Sequence, residues 1–114
     1  DLCLREVADT MLGALKRVTD FIARWGGEEF AIILPHTEQD GATAAAERIL
    51  SDIRERAISH PKSTVVPYVT VSIGIYCGYP NENESIQQWL GHADAALYAA
   101  KHNGRNQYRM TNNI

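Results

Sequence analysis

The sequence predicts a mixed α/β domain, an α+β sandwich in which helices flank one sheet. Three observations carry that prediction. Apolar residues recur at helical spacing in three separate segments, Gly26-Gly27 divides two short apolar runs, and a later segment alternates between apolar and small residues.

The first helix is predicted over residues 2–16, where Leu4, Val7, Ala8, Met11, Leu12 and Leu15 share one face. Short strands follow at Phe21–Trp25 and Glu29–Leu34. A glycine pair between two apolar runs is a hairpin signal, because a two-residue primed turn needs positive φ at its centre. Pro35 ends the second strand. A second helix is expected from Thr37 or Asp40 to Ala57, with acids near its start, Arg54 and Arg56 near its end, and a stripe of Ala42, Ala45, Ile49, Leu50, Ile53 and Ala57.

Residues 59–67 contain two prolines and read as a loop. Tyr68–Tyr76 reads as a strand. Val69, Val71, Ile73 and Ile75 form one face, and Thr70, Ser72 and Gly74 keep the other small enough for close packing. Ser85 with Gln88 forms a capping box for a third helix, whose stripe is Ile86, Trp89, Leu90, Ala93, Leu97 and Ala100. Gly104 stops it, and Asn106–Met110 is a candidate edge strand.

A chain of 114 residues fits one domain. Its 45% hydrophobic and 22% charged content is that of a soluble globular protein. No apolar run approaches the roughly 20 residues of a membrane helix, and no secretory leader is read ahead of the first amphipathic segment. The net charge of −3, without a basic cluster, argues against nucleic-acid binding. Cys3 and Cys77 are far apart and outside any metal-ligand spacing, which favours a reduced, cytoplasmic setting.

Trp25-Gly26-Gly27-Glu28-Glu29-Phe30 carries the chemistry. Two adjacent carboxylates beside a glycine turn repel one another unless a cation joins them. Mg²⁺ suits such a place, since it takes one or two carboxylate oxygens plus substrate phosphates. Glycine removes side chains that would block a phosphate or ribose. Adjacent strand residues point to opposite faces, so Glu28 and Glu29 are expected to act differently. A solvated turn bearing two surface acids is the competing reading.

Gly26-Gly27-Glu28-Glu29-Phe30 resembles the GGDEF/GGEEF motif that names the diguanylate cyclase family. Ala93-Asp94-Ala95-Ala96-Leu97-Tyr98-Ala99-Ala100-Lys101 and Gly104-Arg105-Asn106 resemble the family's second conserved block. Val71-Ser72-Ile73-Gly74-Ile75, Leu34-Pro35 and Ala46-Glu47-Arg48-Ile49 fall where the family has similar residues. The resemblance spans nearly the whole chain. It implies a nucleotidyl-cyclase or palm-like GGDEF fold, with a central, mainly antiparallel sheet flanked by helices.

That resemblance implies condensation of two GTP into cyclic di-GMP and pyrophosphate, with Mg²⁺ or Mn²⁺ as cofactor. Each ribose 3′-oxygen attacks the α-phosphate of the other GTP in line, so two subunits must face each other as a homodimer. Glu28 would bind the metal and help activate the 3′-hydroxyl, with Glu29 as its companion acid. Gly26 and Gly27 would line the substrate site. Lys101 and Arg105 match the family's phosphate-binding pair; without that context they read as ordinary cations at a helix C-terminus. Asp94 reads as a structural hydrogen-bonding residue.

Arg17-Val18-Thr19-Asp20 is an RxxD whose Asp20 is separated from Gly26 by five intervening residues. This is the register of the family's product-inhibition site, where Arg17, Asp20 and Arg48 would grip cyclic di-GMP. By itself RxxD reads as a surface ion pair. His36, His60, His92 and His102 lack metal spacing. Trp25, Trp89 and Tyr98 are expected to pack rather than stack on a base, and the cysteines to be buried or half-buried.

Residues 1–114 correspond to the C-terminal two-thirds of the family's domain. Asp1-Leu2-Cys3-Leu4 resembles the GDxxL that helps bind guanine. The family's first strand, with its metal-binding Asp, is not among these residues, so this segment alone is expected to be inactive. A non-catalytic domain that senses cyclic di-GMP or GTP is the alternative function. The intact acidic motif, Lys101 and Arg105 favour the enzyme.

Overall fold

The computed structural model describes residues 2–26, 29–59, 68–80 and 82–113. Its elements run α1 (Leu2–Ala14), β1 (Phe21–Gly26), β2 (Glu29–Ile33), α2 (Gln39–Arg56), β3 (Ile73–Gly78), α3 (Ile86–His102) and β4 (Tyr108–Asn113). The order is the one the periodicity predicts. β1 and β2 form an antiparallel ladder, whereas β3 and β4 run parallel. Parallel neighbours need a long crossover, and α3 supplies it, making β3–α3–β4 a βαβ unit.

One apolar core serves both ladders. Val7, Met11 and Ala14 of α1 meet Ile49 and Ile53 of α2 and Ile58 beyond it. Ile22, Phe30 and Ile32 of the hairpin pack on this cluster, as do Val69, Val71 and Ile73. The helices α1 and α2 therefore cover one face. Gly74 turns the other way, against α3, so the small face of the alternating segment is where the third helix docks.

Local signals explain the ends of the elements. The Ser85 hydroxyl accepts from the Gln88 amide at 3.1 Å, and the Ser85 amide donates to Gln88 Oε1 at 2.7 Å, which completes the capping box. Asp40 in the first turn of α2 and Arg54 and Arg56 in its last turn complement the dipole. Ala57 closes α2 in the left-handed region, with φ 46°.

Four expectations need correction. Gly26 is the last residue of β1, paired with Glu29, rather than half of the turn. Residues 68–72 are not ladder strand: only Tyr68 bridges to Ser59, and pairing with β4 begins at Ile73. The alternation of sides persists there, but the parallel partner starts no earlier than Tyr108. Leu12 is exposed because it stands at the rim of its stripe while Thr10 takes a buried position, and Ile86 is exposed at the first residue of α3. Thr10 tolerates burial by donating its hydroxyl to the Glu6 carbonyl at 2.7 Å.

Candidate functional site

Register fixes the hairpin tip. Gly26 opposes Glu29, and a bulge between Arg24 and Gly26 shifts the pairing just before the end. Glu29 is exposed at the first position of β2. Its carboxylate, an acceptor-only group with hard oxygens, fits a divalent cation. Gly27, Glu28 and Asp1 lie outside the described residues, so the structure bears on half of the acidic pair. Among the described residues no group of three His, Cys, Asp or Glu gathers as a metal site.

The other predicted substrate residues sit at the end of α3. Lys101 is half-buried in the last turn, and Arg105 is exposed just past it. No ion pair to an acid occupies either cation among the described residues. The chain leaves the helix through Gly104 at φ 108°, and the Arg105 amide donates to the Ala100 carbonyl at 3.0 Å in a Schellman closure.

Two further residues then hold left-handed backbone, Arg105 at φ 62° and Asn106 at φ 52°. Asn tolerates this region, but a long side chain such as Arg costs about 1–2 kcal/mol there. Contacts around the bend hold it. Ser72 Oγ accepts from the Asn106 amide at 3.3 Å, and the Arg54 guanidinium donates to both Asn106 Oδ1 (3.0 Å) and the Asn106 carbonyl (2.9 Å). Two residues further on, at the start of β4, Tyr108 donates to Glu47 Oε1 at 3.3 Å, and an open cleft lined by Glu47, Leu50, Arg54, Gln107 and Tyr108 runs between α2 and β4. Burial and the Glu47 carboxylate push the Tyr108 phenol above its ordinary value.

The RxxD segment is tightly made. Arg17 pairs with Asp20 at 3.2 Å, and their side chains are 43% and 6% exposed. The Arg17 guanidinium also donates to the Pro35 carbonyl at 2.6 Å, the His36 carbonyl at 3.3 Å and the Thr37 hydroxyl. It thus fastens a turn whose His36 stands at φ 51°. Arg48, half-buried on α2, donates from Nε to the Ala14 carbonyl at 3.1 Å. The three predicted inhibitory residues therefore all bear on the α1–β1 connection or the residues flanking it.

Sequence reasoning treated Arg54 only as a helix-end cation. The missed signal lies in Gly104-Arg105-Asn106, a run suited to left-handed backbone and needing an outside brace. Tyr98, expected to pack inside, is 63% exposed and stacks on His102 with ring centroids 3.9 Å apart. Trp89 does pack, edge-on to Tyr76, whose other stacking partner is His92. Asp94 is exposed on α3, and the Trp25 side chain and His60 lie outside the described residues.

Residues 1–107 match the family described as "Diguanylate cyclase, GGDEF domain". The chain belongs to the GGDEF family of diguanylate cyclases. It is 38% identical over 113 residues to Diguanylate cyclase A of Treponema denticola, covering 99% of this chain and 29% of that protein. It is 39% identical over 114 residues to Diguanylate cyclase DgcM of Escherichia coli strain K12, covering 94% of this chain and 26% of that protein. The chain thus spans less than a third of these curated relatives.

Solved GGDEF structures share the fold. The active GGEEF domain of a diguanylate cyclase from Vibrio cholerae aligns at TM-score 0.74 and 29% identity, over 100% of this chain and 69% of that one. The coiled coil and GGDEF domain of DgcB from Caulobacter crescentus, solved in complex with c-di-GMP, aligns at TM-score 0.76 and 31% identity, over 98% of this chain and 56% of that one. Among the described residues no helix is long and apolar enough to cross a membrane.

Proposed function

We propose that this GGDEF domain, within its full-length protein, condenses two GTP into cyclic di-GMP. The observation that carries the reading is the pairing of Gly26 with Glu29, which leaves only Gly27 and Glu28 between the strands of an acid-bearing hairpin. Glu28 and Glu29 would hold Mg²⁺ or Mn²⁺, which supplies charge neutralisation at the phosphates when bound. Gly26 and Gly27 admit the nucleotide close to the backbone. Lys101 and Arg105, free of acidic partners among the described residues, would take the charge of the triphosphate.

In the reaction, the 3′-hydroxyl of one GTP, activated with the help of Glu28, gives up its proton to solvent as its oxygen forms a bond to the α-phosphorus of the other. The bond from that phosphorus to the bridging α–β oxygen breaks, and pyrophosphate leaves. The second subunit repeats the step in the opposite sense, which requires two domains face to face. Asp1 would contact guanine. The 114 residues alone are proposed to be inactive, because the metal-binding Asp that the family carries on an upstream strand is not among them. The setting is proposed to be cytoplasmic, where GTP is available.

A second reading concerns Arg17, Asp20 and Arg48 as a site at which cyclic di-GMP inhibits its own synthesis. It is favoured by an Asp20 carboxylate more than nine-tenths buried beside a partly exposed guanidinium. Calorimetric titration of cyclic di-GMP into wild type and Arg17→Ala, with melting curves to confirm folding, tests it. Unchanged affinity in the variant rejects it.

For the enzyme itself, the full-length protein is incubated with GTP and Mg²⁺ beside Glu28→Ala. Cyclic di-GMP from the wild type and a loss of about 100-fold or more in the variant are expected. Equal turnover in both removes Glu28 from the mechanism. Cyclic di-GMP binding without turnover in either favours the sensing alternative.

A further inference from the structure

We propose that Arg54 is a positioning residue for Arg105, bracing from α2 the bend that presents the phosphate-binding arginine. The inference rests on the assignment of Arg105 to substrate phosphate made above. It goes beyond that assignment by naming a residue on another element through which the arginine is aimed.

Gly104, Arg105 and Asn106 all have positive φ, and only the first is glycine. Non-glycine residues keep such a conformation where surrounding contacts over-determine it. The Schellman bond from the Arg105 amide fixes the near side of the bend to α3. The far side is fixed at Asn106, and there Arg54 makes two of the three contacts, to Oδ1 and to the main-chain carbonyl. A planar guanidinium fork satisfies both acceptors at once and so restrains side chain and backbone together.

The brace is anchored at both ends. Arg54 and Glu47 are seven residues apart on α2, hence on one face, and Glu47 holds Tyr108 two residues beyond Asn106. The last turns of α2 are thereby stitched to the start of β4. Arg54 is itself exposed, so its removal releases the bend without opening the core.

The test measures the Kd of a non-hydrolysable GTP analogue with Mg²⁺ by calorimetry, on the full-length protein. Wild type is compared with Arg54→Ala, Arg105→Ala, the double variant and Arg54→Lys. Arg54→Ala is expected to weaken binding about fivefold, equivalent to about 1 kcal/mol. The double variant should bind no worse than Arg105→Ala, because Arg54 acts through Arg105. Arg54→Lys, which keeps one donor, should recover part of the loss, and melting temperatures should stay together.

Multiplicative losses in the double variant would mean that Arg54 meets the nucleotide on its own account, and would overturn the proposal while leaving Arg105 in place. Wild-type affinity in Arg54→Ala overturns it too. Wild-type affinity in Arg105→Ala removes the phosphate assignment, and the brace loses its purpose with it.

Discussion

Gly74 on β3 lies so close beneath α3 that a Cβ built on it would stand 2.2 Å from the Ala93 carbonyl oxygen. The same Cβ would be 2.3 Å from the Leu97 amide nitrogen. Both obstacles are backbone atoms of one helix, which cannot swing aside as a side chain can.

Gly74→Ala should therefore push α3 from the sheet, at a cost of about 3 kcal/mol or more. Gly91, on the same helix, is the contrast: a Cβ there meets nothing within 4 Å. Gly91→Ala should raise stability by up to about 1 kcal/mol through helix propensity. Urea unfolding of both variants checks the pair, and similar shifts in the two would contradict the packing described.

The helix starts differ in a testable way. Ser85 caps α3 reciprocally with Gln88, whereas Glu38 caps α2 with no side-chain bond, although its backbone is already extended at φ −89° and ψ 178°. Ser85→Ala should cost about 1 kcal/mol, and Glu38→Ser should contribute a similar gain. Thermal melts of the two variants should move in opposite directions.

Alkaline stability reports on the α2–β4 junction. The Tyr108 phenol is raised above 10.0 by burial and by Glu47, so the folded state holds this proton more tightly than the unfolded chain. Its stabilising effect is whole below the unfolded value and is lost as pH rises through the folded one. As pH rises past the ordinary phenol value of 10.0, the urea midpoint of the wild type should fall more steeply than that of Tyr108→Phe. Parallel curves would mean that Glu47 and Tyr108 do not interact in solution.

Burial also pushes the Cys77 thiol up, which keeps it in the unreactive protonated form. Iodoacetamide at about pH 8 should modify Cys77 far more slowly in the native protein than in urea. Peptide mass spectrometry reads this directly, and equal rates would contradict the burial.

Much of this architecture was legible in the chain because its signals are local. The Ser85–Gln88 box lies within one turn, and the small residues opposite Ile73 announce a close-packed face. The motif Gly26-Gly27-Glu28-Glu29-Phe30 declared the family, and its apolar flanks declared the hairpin. What escaped is set by partners distant in sequence. Nothing near residues 68–72 says that their ladder begins only at Ile73, since that depends on where β4 starts. Arg54 lies 52 residues from Asn106, so only the folded chain brings the brace to the bend. Tyr98 is expected to pack because it is aromatic, yet it lies off the apolar stripe of α3, and its surface position follows from how α3 faces β3 and β4.

The account turns on a divalent ion held by the acids of the β1–β2 hairpin against nucleotide phosphates. A crystal structure of the full-length protein with Mg²⁺ and a non-hydrolysable GTP analogue tests this most directly. The prediction is a cation about 2.0–2.1 Å from a Glu28 carboxylate oxygen, with Lys101 and Arg105 on the phosphates. A nucleotide bound elsewhere, with the hairpin acids facing only solvent, would contradict it.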